Sequence, residues 1–130
     1  MLDWDREHCR PKMIEEPRGP GNVLQATIES EHVTEVVTGF GERGVRAEAV
    51  AKGVAEETAR YLKASVPVGE HLADQLLMPM ALGKGGAFRT VTLSQHSRTQ
   101  IELLKIFLPA TITVREEKSD VVRVDVDTHN

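Results

Sequence analysis

The sequence switches between two hydrophobic periods, and this limits the fold more than any other feature. Over Val23 to Ser30, Leu24, Ala26 and Ile28 alternate with Gln25, Thr27 and Glu29, and a second alternating run covers Val33 to Phe40. From Arg46 to Lys63 the repeat lengthens, with Val50, Val54, Thr58 and Leu62 at every fourth position. A strand buries alternate residues and a helix buries a stripe, so the chain must mix strands with helices. The first two runs, separated by Glu31 and His32, predict a β-hairpin, and the third predicts an amphipathic helix.

The stretch Ala64 to Gly69, with two valines around Pro67, interrupts the helical period and predicts a domain boundary. Beyond it, Gly69 to Leu82 predicts a second helix whose apolar side is Leu72, Leu76 and Met80, with Ala73 and Leu77 alongside. Pro79 is expected to kink its last turn. Gly83, Gly85 and Gly86 predict a flexible turn, Phe88 to Leu93 a short strand, and Ser94 the cap of a third helix that runs to Leu108 and stops at Pro109. Thr111 to Glu116 and Val121 to Val126 alternate around a charged turn at Lys118 to Asp120, which predicts a second hairpin. Met1 to Gly21, with Pro11, Pro17 and Pro20, has no sustained period and reads as irregular.

With 130 residues and 40% apolar composition, the chain is long enough to bury about two thirds of its unfolded surface, which excludes disordered and collagen-like classes. The longest apolar run, Leu76 to Leu82, is seven residues and contains Pro79, far short of the roughly 20 a membrane helix needs. Asp3, Asp5 and Glu7 at the start are the opposite of a signal peptide, and the lone Cys9 has no disulfide partner, so a reducing cytoplasmic setting is expected. Residues 1 to 62 hold 8 basic and 12 acidic side chains, whereas residues 83 to 105 hold Lys84, Arg89, Arg98 and Lys105 against Glu102 alone. Anions are expected at that basic stretch. The overall charge of −4 argues against non-specific nucleic-acid binding over a wide basic face.

Gly39-Phe40-Gly41-Glu42-Arg43-Gly44 has the spacing of a dinucleotide fingerprint, but an antiparallel hairpin precedes it and no parallel strand follows, so a glycine-rich turn into a helix is expected. Lys84 among Gly83, Gly85 and Gly86 reads as a hinge or as a neighbour of phosphate. His8 and Cys9 are adjacent rather than spaced as zinc ligands, and no metal site is expected. No nucleophile elbow surrounds Ser94. His71, Asp74 and Gln75 share one helix face, which suits either solvent or the hydroxyls and ring edges of a nucleotide. His96 falls in the first turn of the helix capped by Ser94. Unpaired amides there attract phosphate, so the imidazole is either a nucleophile for phosphoryl or nucleotidyl transfer or a residue capping its own helix.

The run Gly19-Pro20-Gly21-Asn22, the stretch His32 to Glu35, the turn Gly39 to Gly44, the helix start Ala47 to Ala51, the segment Val68 to Leu76, and Ser94-Gln95-His96 with Thr99 together resemble the C-terminal part of RNA 3′-terminal phosphate cyclase. The resemblance covers residues 19 to 115. It implies an α+β fold in which residues 1–64 are the later portion of a small inserted domain, a hairpin plus helix, and residues 65–130 are the last α-β-α-β-β repeat of the catalytic domain, an incomplete fold. It also implies that His96 becomes covalently adenylylated by ATP, that His71, Leu72, Ala73, Asp74 and Gln75 contact the nucleotide, and that Mg²⁺ or another divalent metal offsets the triphosphate charge. The substrate implied is RNA with a 3′-terminal phosphate, converted to a 2′,3′-cyclic phosphodiester. The family's usual Asn is replaced by Gln100, and the resemblance leaves the family's earlier repeats outside the residues it covers. The partners expected are therefore a separate N-terminal cyclase fragment or a second copy of the chain. A non-catalytic cyclase-like RNA-binding or ribosome-assembly module and an inactive remnant are the alternatives.

Overall fold

A computed structural model describes residues 2–129 and contains, in chain order, β1 (Val23–Glu29), β2 (Thr34–Phe40), α1 (Ala47–Ala64), α2 (Glu70–Leu82), β3 (Gly86–Thr90), α3 (Gln95–Phe107), β4 (Ala110–Lys118) and β5 (Val121–Thr128). A single 3₁₀ turn, Arg6–His8, interrupts the otherwise irregular leading segment. The chain forms two compact units. One comprises the residues up to Ile28 together with Val36–Ala59, and the other comprises Glu29–Glu35 with the residues from Arg60 onward. Among the described residues no helix is long and apolar enough to cross a membrane.

In the first unit β1 and β2 form a two-stranded sheet, tied at its open end by Gly41 N–H donating to the Asn22 carbonyl at 2.9 Å. Ala26, Val37 and Val54 are its buried core, with Ile28 packed against them. Gly39 explains the close approach of α1 to the sheet. A Cβ there would fall 2.6 Å from Val54 Cγ2 and 2.9 Å from Val50 Cγ1. The glycines of the Gly39 to Gly44 motif thus serve packing and a turn, with Gly44 in the left-handed region at φ +85°. On α1 the buried positions are Val54, Thr58, Tyr61 and Ala64, whereas Leu62 is 43% exposed, so the expected stripe is displaced toward Tyr61 in the helix's last turns.

In the second unit the sheet order is β3-β5-β4, all antiparallel, with the central strand β5 paired from Gly86↔Val126 to Thr90↔Val122 on one side and from Ala110↔Thr128 on the other. Asp120, at φ +58°, turns β4 into β5. One sheet face supplies Phe88, Ile112, Val122, Val124 and Val126 to a core completed by Val68, Ala73, Leu77, Ala81, Leu93, Ile101 and Leu104. α2 seats on Ala73, Leu77 and Ala81, while Leu72, Leu76 and Met80 are only partly buried. The expected apolar side faces the core, and its deepest line runs through the residues alongside Leu72, Leu76 and Met80, because small Ala73 and Ala81 let the helix lie closest where its side chains are shortest. Strand β3 begins and ends earlier than the expected Phe88 to Leu93, and α2 continues through Pro79 to Leu82.

The opposite sheet face is charged. Register places Arg89 beside Arg123 and Arg123 beside Arg115, a row of like charges that would repel if left alone. Carboxylates interleave them: Arg89 Nε donates to Glu117 Oε2 at 2.6 Å, Arg115 Nη2 to Asp125 Oδ2 at 3.0 Å, and Arg123 Nη2 to Asp125 Oδ1 at 2.9 Å. Hydrogen bonds from Arg123 and then Arg115 pull the Asp125 carboxyl down to about 2. On α3, by contrast, Leu103, Ile106 and Phe107 are left 49%, 74% and 77% exposed.

Candidate active site on the second and third helices

The helix starts of α2 and α3 are built differently. Ser94 caps α3 with its own side chain, its Oγ accepting the Ser97 N–H at 3.0 Å. This places His96 in the first helical turn, where amide N–H groups lack intrahelical partners. Its imidazole is 80% exposed, and its Nε2 lies 3.3 Å from Asp74 Oδ2 on α2. Gln100, one turn further along α3, approaches the same carboxylate. With its amide nitrogen turned toward α2 it donates to Asp74 Oδ1 at 3.0 Å and to the Asp74 carbonyl at 2.9 Å. Asp74 is thus held between two side chains of α3, an imidazole and an amide.

α2 begins at Gly69, which has no side chain to cap with. The Glu35 carboxylate takes that place, its Oε2 accepting the Gly69 N–H at 3.2 Å. Of the remaining expected nucleotide contacts, His71 and Gln75 are exposed, Leu72 is half-buried and Ala73 has no exposed surface. Whatever meets this face therefore meets His71, Asp74 and Gln75 by their side chains, with Ala73 behind them in the core.

The basic residues of the stretch where anions are expected separate. Arg89 is a correction: β3 turns Phe88 and Thr90 inward, so Arg89 points to the opposite sheet face and is engaged by Glu117. Lys84 follows the end of α2, whose eight-residue path from Asp74 to Leu82 is about 12 Å long, so it sits at the far end of that helix. Arg98 stays at the start of α3, where its Nε donates to the Leu93 carbonyl at 3.4 Å. Thr99 donates to the Gln95 carbonyl at 3.0 Å. For a divalent cation, the donors beside His96 among the described residues reduce to Asp74, and one carboxylate does not make a cage. Such an ion would have to be held chiefly by phosphate oxygens of a bound nucleotide. Among the described residues the group with metal-ligand geometry is Asp5, Glu7 and His8, fully exposed in the leading segment.

Sequence reading missed Glu35. The signal was available, since the alternation that turns Val37 inward also turns Glu35 inward. A charged residue in an inward register position needs a partner in the fold.

A two-layer α+β unit with a histidine at a capped helix start and a carboxylate facing it is compatible with part of a cyclase-type domain. The family model for RNA 3′-terminal phosphate cyclase matches residues 12–114. The chain is 54% identical over 110 residues to an RNA 3′-terminal phosphate cyclase of Ralstonia nicotianae, covering 84% of this chain and 32% of that protein. It is 42% identical over 123 residues to one of Pseudomonas fluorescens (95% and 36%) and 48% identical over 108 residues to one of Salmonella agona (83% and 31%). The chain belongs to the RNA 3′-terminal phosphate cyclase family, and it spans about a third of the length of the curated relatives it matches.

Proposed function

We propose that this chain carries the nucleotidyl-transfer segment of an ATP-dependent RNA 3′-terminal phosphate cyclase, a ligase. Residues 1–64 correspond to the later part of the inserted domain and residues 65–130 to the last catalytic repeat. In this reading the His96 imidazole attacks the α-phosphorus of ATP, the bond to the bridging oxygen breaks, and pyrophosphate leaves. The AMP then passes to the 3′-phosphate of an RNA, and the neighbouring 2′-hydroxyl displaces it to form the cyclic phosphodiester. Asp74 orients the ring and balances the positive charge that develops on it as the nitrogen–phosphorus bond forms. Gln100 holds Asp74 in that position. The amides at the start of α3 face the phosphates, while His71 and Gln75 contact the nucleoside, with Leu72 and Ala73 forming the wall behind them. Mg²⁺ would offset triphosphate charge, and this chain contributes at most Asp74 to its coordination.

The observation that carries the reading is the pairing of His96 with Asp74 at 3.3 Å, backed by Gln100. The exposed Leu103, Ile106 and Phe107 favour an accompanying partner surface, which we take to be an N-terminal cyclase segment. They equally suit a non-catalytic assembly module, and the histidine separates the two readings. The test is to incubate the chain with α-labelled ATP and Mg²⁺, alone and with the N-terminal two thirds of the Ralstonia relative, and to look for acid-labile, alkali-stable label on a denaturing gel. Label that appears with the added segment and vanishes in His96→Ala is expected. Label retained in His96→Ala, or none in the combined sample, would overturn the assignment.

A further inference from the structure

We propose that Glu35 is a positioning residue for the α2 side of this site, acting through the Gly69 peptide. The inference rests on reading His71, Asp74 and His96 as the nucleotide site. Glu35 is only 5% exposed, and burying a carboxylate is costly unless its charge is used. Here it accepts the Gly69 N–H at the start of α2, where unpaired amides and the positive end of the helix dipole stabilise negative charge. The other side of Gly69 is held as firmly. Its carbonyl accepts the Ala73 N–H at 3.0 Å, closing the first helical hydrogen bond, and the Thr90 hydroxyl of β3 at 3.4 Å.

The two residues are matched. A Cβ on Gly69 would fall 2.2 Å from Glu35 Oε1, so no other residue fits while the carboxylate is there. Tyr61 stands near the same group: its phenol donates to the Pro67 carbonyl at 3.3 Å, and burial, then the Glu35 charge, raises its pKa. His71 lies two residues beyond Gly69 and Asp74 five, within the first turns whose origin Glu35 sets. A shift of that origin would move Asp74 away from its 3.3 Å approach to His96.

The test is amide exchange and chemical-shift mapping on the whole chain, comparing Glu35→Ala and Glu35→Gln with the unaltered protein. Glu35→Ala is expected to speed exchange at Gly69, Ala73 and Asp74 roughly tenfold or more while Leu77 and Val124 keep their protection. Glu35→Gln, which keeps the shape and an acceptor but not the charge, should fall between, at about threefold. It carries the test by itself if Glu35→Ala does not fold. Equal loosening across α2 and β5 would mean a purely structural role and would overturn the proposal, as would unchanged exchange and shifts at Gly69 and Asp74. A parallel titration with ATP and Mg²⁺ should shift His71 and Asp74 resonances in the unaltered chain and need several-fold more nucleotide in Glu35→Ala. Local loosening with no ATP response in the unaltered chain, either alone or with the N-terminal segment of the Ralstonia relative added, would uphold the hold of Glu35 on Asp74 and overturn the nucleotide reading. Local loosening with an undiminished ATP response would overturn the positioning role.

Discussion

The two units bury a helix against a sheet with very different amounts of apolar material. In the first, the core is Ala26, Val37 and Val54 over a two-stranded sheet, an arrangement that is marginal in water by itself. In the second, two helices cover one face of a three-stranded sheet, and every element from α2 to β5 contributes to a continuous core around Leu77 and Val124. The residues proposed for chemistry belong to the second unit. A histidine and a carboxylate on separate helices hold a 3.3 Å separation only if both helices are fixed to a common sheet, and the larger core provides this.

This contrast can be broken by experiment. Leu77→Ala, at a site with no exposed surface, is expected to cost about 2–5 kcal/mol and to lower the urea midpoint for amides of α2, α3 and β5. If amides of β1 and β2 lose protection equally, the units are one cooperative body. Gly39→Ala should cost about 1–3 kcal/mol in the first unit, because its Cβ would overlap Val54 and Val50. Adding Val54→Ala should recover part of that loss, and an additive double-substitution cycle would contradict the packing role of the glycine. Thr58 is fully buried with its hydroxyl lacking a hydrogen-bond partner among the described residues, so Thr58→Val should raise stability by about 1 kcal/mol, read as a higher urea midpoint.

The smallest effect belongs to the solvent face of the second sheet. Asp125 is depressed from its ordinary 3.8 to about 2 in the folded state. A carboxyl with a lowered folded pKa adds stability above its unfolded value and loses it as pH falls through the folded one. The Asp125 carboxyl carbon should therefore titrate near 2, with its share of acid sensitivity between about 4 and 2. Arg115→Leu should raise that midpoint. A midpoint unchanged by Arg115→Leu would show that Arg123 alone sets it.

Much of the architecture was legible from local pattern. The hairpin at Val23 to Phe40, the helix over Arg46 to Lys63 and the cap at Ser94 lie where the sequence places them, to within a few residues. His96 and Asp74 could be singled out because a capped helix start and a shared helix face are properties of neighbouring residues. Their mutual approach could not, since 22 positions separate them and only the packing of α2 on α3 brings them together. Arg89 shows the opposite failure. Its place in a basic stretch suggested a phosphate contact, but which face of a strand meets solvent depends on what covers the sheet.

Sequence alone determined the periods, caps and turns, and with them the order of elements and the family, because these depend on residues within a few positions of one another. Tertiary structure decided which side of α2 lies deepest, which arginines are spent on the outer sheet face, and that Glu35 reaches Gly69 across 34 residues. These depend on close packing between distant segments, where one missing Cβ or one short side chain sets how near two backbones come.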